Sequence, residues 1–263
     1  NWSPFDFRDE VAAFLKQNKI EVLNLCETDF ASERIAEDFI IDGYNTYVSK
    51  PCPSTGKVRL VMLVANAINK HCQRLDAIDR EEYLPLEWLS MKFPGSQQYI
   101  FGGYYREWGS GTSKSTDEQI RRLDCLDEDI EKITRRCSGR LWIGGDFNLN
   151  AMKFGDETWK LKAVAERFLE VCNKNSLKQL DDGPTYTYRK DDEMRFSTLD
   201  YFLTSEAEVD QSCVRRVPVG FSDHDAVVAD VPMDQPKPKI KSDRPTVMRS
   251  AVKNIPKFKS DMR

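Results

Sequence analysis

Four short stretches place polar residues of related chemistry at the ends of apolar runs. They hold Glu27 in LNLCETD, Asp146 and Asn148 in IGGDFNLN, Asp200 in STLDYFL, and Asp223 with His224 in FSDHD. Together these are the groups that phosphodiester hydrolysis needs. A hard cation such as Mg²⁺ takes oxygen ligands, usually carboxylates plus substrate oxygens. The attacking water needs a base that titrates near neutrality, and histidine is the usual one. That histidine needs a carboxylate to fix its tautomer and to stabilise the imidazolium. Charge developing on phosphorus needs donors and a metal. Each stretch alone has a plainer reading. Glu27 could cap a following helix, and Asp146 could cap a turn after a strand. Asp200 could solvate the start of a strand, and Asp223–His224 could be a turn entering one. Finding all four in this order and spacing weakens the plainer readings.

The elements between these stretches alternate in type. Residues 4–20 have the spacing of an amphipathic helix, with Val11, Phe14, Leu15 and Ile20 on one side. Residues 20–30 predict a buried strand carrying Glu27 at its carboxyl end, 32–39 a helical turn and 57–68 a strand. A strand pair is expected over 82–93 and 97–108, joined by the turn signal PGS. GSGTSKS reads as a flexible loop. Residues 115–137 predict a helix with Ser115 or Thr116 as its cap, acids in the first turn and Arg135–Arg136 in the last. A strand at 140–148, a helix at 157–176 and short strands at 197–205 and 224–231 complete the pattern. This alternation predicts an α/β domain whose strand ends deliver polar residues to one edge.

The 263 residues are 40% hydrophobic and 31% charged, an ordinary globular composition able to bury a substantial core. No apolar run reaches the roughly 18 residues of a membrane helix, so no membrane partner is expected. The start NWSPFDFRDE has neither the basic region nor the apolar region of a signal peptide. With no initiator Met, it predicts a piece of a longer chain. The seven cysteines are scattered without a C-x-x-C pair, which predicts free thiols in a reducing compartment. Residues 235–263 carry nine Lys/Arg against two Asp/Glu, and the remainder 30 against 41. An acidic body with a basic Pro/Lys-rich tail argues mildly against a dedicated nucleic-acid binder. The division expected is a domain over 1–232 and a linker over 233–263.

The order CET, GDFN (Gly145–Asn148), LDY (Leu199–Tyr201) and SDH (Ser222–His224) resembles the endonuclease/exonuclease/phosphatase superfamily, the DNase I-like fold. YREW (Tyr105–Trp108) and GPTY (Gly183–Tyr186) are similar to the branch formed by endonuclease domains of non-LTR retrotransposons. The resemblance spans about residues 1–232. It implies a four-layer α/β sandwich of two packed β-sheets flanked by helices. It also implies an Mg²⁺-dependent (Mn²⁺ possible) endonuclease that nicks target DNA. The implied metal ligands are Glu27, Asn1 and Asp223. His224 matches the family's base and Asp200 the aspartate that orients it. Asp146 matches the aspartate that positions the nucleophile or protonates the leaving group, and Asn148 and Tyr105 match phosphate donors. Thr187 (or Thr185), Trp108 and Arg106 are substrate-side candidates. Taking Asn1 as the family's first-strand asparagine implies that the first strand precedes this sequence. The tail, with RPTVMRSAVKN, resembles a linker into a reverse transcriptase, which implies nuclear work on chromosomal DNA. Two alternatives stand beside this reading. One is an abasic-site repair nuclease or a phosphatase of the same superfamily, and the other is a non-catalytic nucleic-acid-binding remnant.

Overall fold

The computed structural model describes residues 7–75, 83–107 and 115–233. Five helices are present: α1 Arg8–Asn18, α2 Glu33–Glu37, α3 Asn66–Asn69, α4 Thr116–Arg136 and α5 Lys162–Lys174. The strands are β1 Val22–Phe30, β2 Tyr44–Val48, β3 Val58–Ala65, β4 Cys72–Arg74, β5 Leu86–Lys92, β6 Gln98–Tyr105 and β7 Gly139–Asp146. They continue with β8 Lys178–Leu180, β9 Tyr186–Lys190, β10 Glu193–Ser197, β11 Asp200–Thr204, β12 Val214–Val217 and β13 Ala226–Ala229.

A six-stranded sheet in the order β4-β5-β6-β7-β11-β8 forms the spine, with β6 and β7 parallel and its other pairings antiparallel. Strand alternation gives it two faces. Ile100, Tyr104, Leu141, Ile143, Tyr201 and Leu203 pack into one core with Leu126, Ile130 and Ile133 of α4 and Val164, Phe168 and Val171 of α5. Opposite lies a second β layer, built from the sheet β1-β3-β2 and the separate pair β12-β13. Met62 and Val64 of β3 meet Leu89 and Met91 of β5, while Val61 and Leu63 turn outward to Val11 and Leu15 of α1. The layers therefore run helix, sheet, sheet, helix, as the resemblance implies.

The second β layer is split. Among the described residues β1 pairs only with β3 and β13 only with β12, and both strands line one cavity of about 1500 Å³. The expected buried strand β1 is accordingly half-buried over Val22–Cys26, because one of its edges opens onto this cavity. It also runs on past Glu27 to Phe30, so Glu27 does not end it.

Helix α4 has the predicted cap: Ser115 Oγ accepts from the Glu118 backbone N–H at 3.2 Å, with acids at the first turn and arginines at the last. Helix α5 starts five residues later than expected. Asp156 accepts hydrogen bonds from the Thr158 N–H and hydroxyl, a local turn that competes with helix there. The predicted strand 57–68 stops at Ala65, where α3 begins. Trp88 and Trp142 are core residues. The Trp88 indole donates to Asp129 at 3.4 Å, and that of Trp142 donates to Glu206 at 2.6 Å. His71 packs its ring 4.7 Å from that of Phe93. All seven cysteines are free. Among the described residues no helix is long and apolar enough to cross a membrane.

Candidate active site

Sheet register assembles the centre. Tyr105 at the end of β6 lies opposite Asp146 at the end of β7, and Asp146 lies opposite Asp200 at the start of β11. Three adjacent strands thus place three polar residues in one row. The alternation that sends Tyr104 and Tyr201 to the helices sends this row to the face toward the second β layer. Gly145 permits the close approach of β7 to β6. Its φ is +151°, and a Cβ there would come 1.9 Å from the Tyr104 carbonyl oxygen.

Two loops add to the row. His224 enters through a single bridge to Tyr186, with the Asp225 N–H donating to the Thr185 carbonyl at 2.8 Å. His224 Nδ1 lies 2.8 Å from Asp200 Oδ2. That oxygen also accepts from Thr185 Oγ1 at 2.7 Å. An ionised carboxylate only accepts, so the proton sits on Nδ1 and Nε2 is the free ring nitrogen. Burial pulls the imidazole pKa down, but the hydrogen bond and charge of Asp200, with Asp146 and Asp223 nearby, raise it to about 9. Asp146 is 3% exposed, and burial beside the Asp200 charge holds its pKa well above the usual carboxylate range.

Glu27 comes from β1 through an irregularity. The β1–β3 register shifts between Cys26 and Phe30, and Glu27 and Asp29 sit at φ +55° and +49°. Buried Thr28 between them donates its hydroxyl to the Val58 carbonyl at 3.0 Å. Left-handed backbone at two non-glycine residues is costly, and it aims both carboxylates away from the ordinary pleat. Glu27 accepts from the Tyr105 hydroxyl. Burial and the Glu27 carboxylate hold the Tyr105 phenol far above its ordinary pKa, so it stays a donor.

Several expectations need correction. Arg106, expected at the substrate, is 1% exposed. Its guanidinium donates to the Phe147 and Asn148 carbonyls, each at 2.6 Å, and to Gln119, so it braces the GDFN turn instead. Asn148, at φ +49°, gives its side-chain NH₂ to Asp146 and to the Arg106 carbonyl, both at 2.9 Å. Both amide hydrogens are thus engaged, and the side chain fixes Asp146. Thr187 lies exposed on β9, and Thr185 is the threonine that engages the centre. Asn1 and Trp108 lie outside the described residues.

The metal-ligating side chains group differently from the expected set. Asp146, Asp200 and His224 offer ligand atoms within 4.8 Å of one another, and Glu27 and Asp223 are not in that set. Glu27, Asp146, Asp200 and Asp223 nevertheless line one cavity, and no Lys or Arg pairs with buried Asp146 among the described residues. Several carboxylates around an uncompensated buried one fit a hard divalent cation. Sequence reasoning passed over Arg59 and Tyr186. Tyr186 sets its ring 4.8 Å from that of His224. Arg59 was detectable as the lone charge inside the apolar run VRLVMLV.

Comparison with known proteins agrees with this geometry. Residues 104–228 match the family model described as endonuclease-reverse transcriptase. The structure is similar to the endonuclease domain of TRAS1, a telomere-specific non-LTR retrotransposon. That match has 16% identity and TM-score 0.57, and covers 84% of this chain and 90% of that one. It is also similar to the AP endonuclease of Leishmania major, with 18% identity, TM-score 0.61 and coverage of 83% and 80%. A third similar structure is a mannosyl-6-phosphatase from Bacteroides thetaiotaomicron, with 11% identity, TM-score 0.55 and coverage of 85% and 90%. A search of curated protein sequences found no match. The chain has the DNase I-like fold of these structures.

Proposed function

We infer that this chain is a divalent-metal-dependent endonuclease domain that nicks DNA for a non-LTR retrotransposon. The observation that carries this reading is His224, held by Asp200 through Nδ1 with Nε2 free, beside buried Asp146 in a carboxylate-lined cleft. His224 Nε2 takes the proton of the attacking water. Asp200 holds the ring and stabilises the imidazolium, and Thr185 holds Asp200. Asp146, fixed by Asn148, orients the water or returns a proton to the leaving oxygen. The Tyr105 hydroxyl, which gives its one hydrogen to Glu27 here, would turn that hydrogen to the phosphoryl group once a metal takes the carboxylate. Glu27, with Asp223 and Asn1, would hold a Mg²⁺ or Mn²⁺ ion that neutralises charge on the phosphoryl oxygens.

The hairpin β9–β10 stands next to His224. It exposes Tyr188, Met194 and Phe196 with Arg189 and Arg195, rings and cations suited to a nucleic acid. In this reading residues 1–232 are the nuclease domain, and the basic stretch 233–263, of which all but its first residue lies outside the described residues, leads to a reverse transcriptase. The chain then acts on chromosomal DNA in the nucleus.

A second reading, an abasic-site nuclease, is favoured by the likeness to the AP endonuclease. One assay separates them: cleavage of intact duplex, abasic duplex and a sugar phosphate, each with Mg²⁺ or EDTA. The proposed function predicts Mg²⁺-dependent nicking of intact duplex. Cleavage of the abasic duplex alone, or phosphate release alone, overturns it.

A further inference from the structure

Arg59 is a charge that the mechanism leaves unused, and it touches Tyr105 and lies beside Glu27. It lies near the start of β3, with its side chain 21% exposed. One Nη donates to Tyr105 Oη at 2.9 Å and lies 3.9 Å from Glu27 Oε1. The other Nη donates to Asp29. Nε is buried without a hydrogen bond and lies 3.6 Å from Glu107 Oε1. The guanidinium carbon sits 5.2 Å from the centre of the Tyr105 ring. Asp29 is shared with Lys57 at 3.2 Å, and Glu107 with Arg122 at 3.4 Å.

These contacts have a direction. The guanidinium fork is planar, so bonds to Asp29 and Tyr105 fix its plane, and the fixed plane sets the Tyr105 hydroxyl against Glu27. The left-handed backbone at Asp29 gains a purpose from this, because it presents the carboxylate that holds Arg59. The same cation lies close enough to Glu27 to offset its charge, which is also what a bound divalent cation would do. Arg59 therefore orders the site for the phosphoryl group while weakening its hold on metal.

We propose that Arg59 is a positioning residue of the candidate centre, orienting Tyr105 through its guanidinium and acting as the counter-ion of Glu27 that a divalent metal must displace. This rests on the metal-dependent reading of the cleft given above.

The two effects have opposite signs, which a purely structural arginine does not produce. The test measures Mn²⁺ binding without DNA by calorimetry, and nicking of plasmid in saturating Mn²⁺, on this chain and on Arg59→Met, Arg59→Lys and Glu27→Gln. Arg59→Met should bind Mn²⁺ about threefold tighter, the scale of one partly exposed ion pair. It should nick about ten- to hundredfold more slowly at saturating metal, as expected when a partner that orients a site group is lost. Arg59→Lys should keep wild-type Mn²⁺ affinity and still nick slowly, because lysine keeps the charge and loses the fork. Thermal melting of each variant identifies any fold defect. Unchanged or weaker Mn²⁺ binding in a folded Arg59→Met, with Glu27→Gln still abolishing binding, overturns the role of Arg59 alone. No Mn²⁺ binding in the unsubstituted chain, or none lost in Glu27→Gln, overturns the metal reading of the site and this proposal with it.

Discussion

The two β layers that flank the cleft differ in how completely they are built. On the six-stranded side, Tyr105, Asp146 and Asp200 stand in register on three hydrogen-bonded neighbours, and every one has a named partner. On the other side, among the described residues, β1 and β13 each have one unpaired edge and line the cavity, and the Asn24 Oδ1 there is buried without a partner. Unpaired edges and unsatisfied buried acceptors both carry a cost. The contrast assigns roles. In the proposed function the closed layer would fix the proton-transfer groups, and the open layer, through β1, would supply Glu27 to a metal.

The largest effects should come from breaking the closed layer. Asp146→Asn or Asp200→Asn should each slow nicking by about 10²- to 10⁴-fold, the usual range for a lost acid–base or orienting group. Single-turnover rates, with metal saturating and protein in excess over DNA, measure this. A loss under tenfold would remove the row from the mechanism.

Asp200→Asn should also move the pH profile. His224 works unprotonated, and Asp200 raises its pKa to about 9, so nicking should climb with pH on an acid limb. Removing the Asp200 charge should shift the limb to lower pH while lowering the plateau. The stability sign is opposite. A histidine raised above its ordinary 6.5 stabilises the fold fully below about pH 6.5, and this stabilisation is lost as pH rises through about 9. The melting gap between the unsubstituted chain and Asp200→Asn should therefore be wider at pH 6 than at pH 10.

The open layer should respond to completion. Fusing an alternating apolar strand of about eight residues ahead of Asn1 gives both edges a partner. The melting temperature should rise by at least about 3 °C, the equivalent of roughly 1 kcal/mol in a domain of this size. No rise, with β1 still cut by protease, would show that the edges are not poised for a strand.

The smallest effects separate the two threonines. Thr185→Val removes a donor to Asp200 and should cost about 1–2 kcal/mol of stability and some activity. Thr187→Val, on an exposed strand, should stay within about 0.5 kcal/mol.

The same contrast explains what the sequence could tell. The long amphipathic helix α4, the β5–β6 pair and the apolar run of β7 were legible, because their burial repeats with a clear period. Strands β2, β4, β8, β9, β10 and β12 are three to five residues long, and they take their form from neighbours more than from any period of their own. The polar strand ends of the site were legible by residue type. Their partners were not. Arg106 and Asn148 carry surface chemistry by type, yet tertiary packing turns both inward onto the GDFN turn. The choice between Thr185 and Thr187 depended on which one faces Asp200, and that is set by a hairpin register with no marker in the residues themselves.

The most direct measurement is nicking of supercoiled plasmid by this chain and by His224→Ala, in Mg²⁺ and in EDTA. The account predicts relaxed circles from the unsubstituted chain in Mg²⁺, none in EDTA, and a loss of about 10²-fold or more in His224→Ala. Nicking that survives His224→Ala at the unsubstituted rate would contradict it.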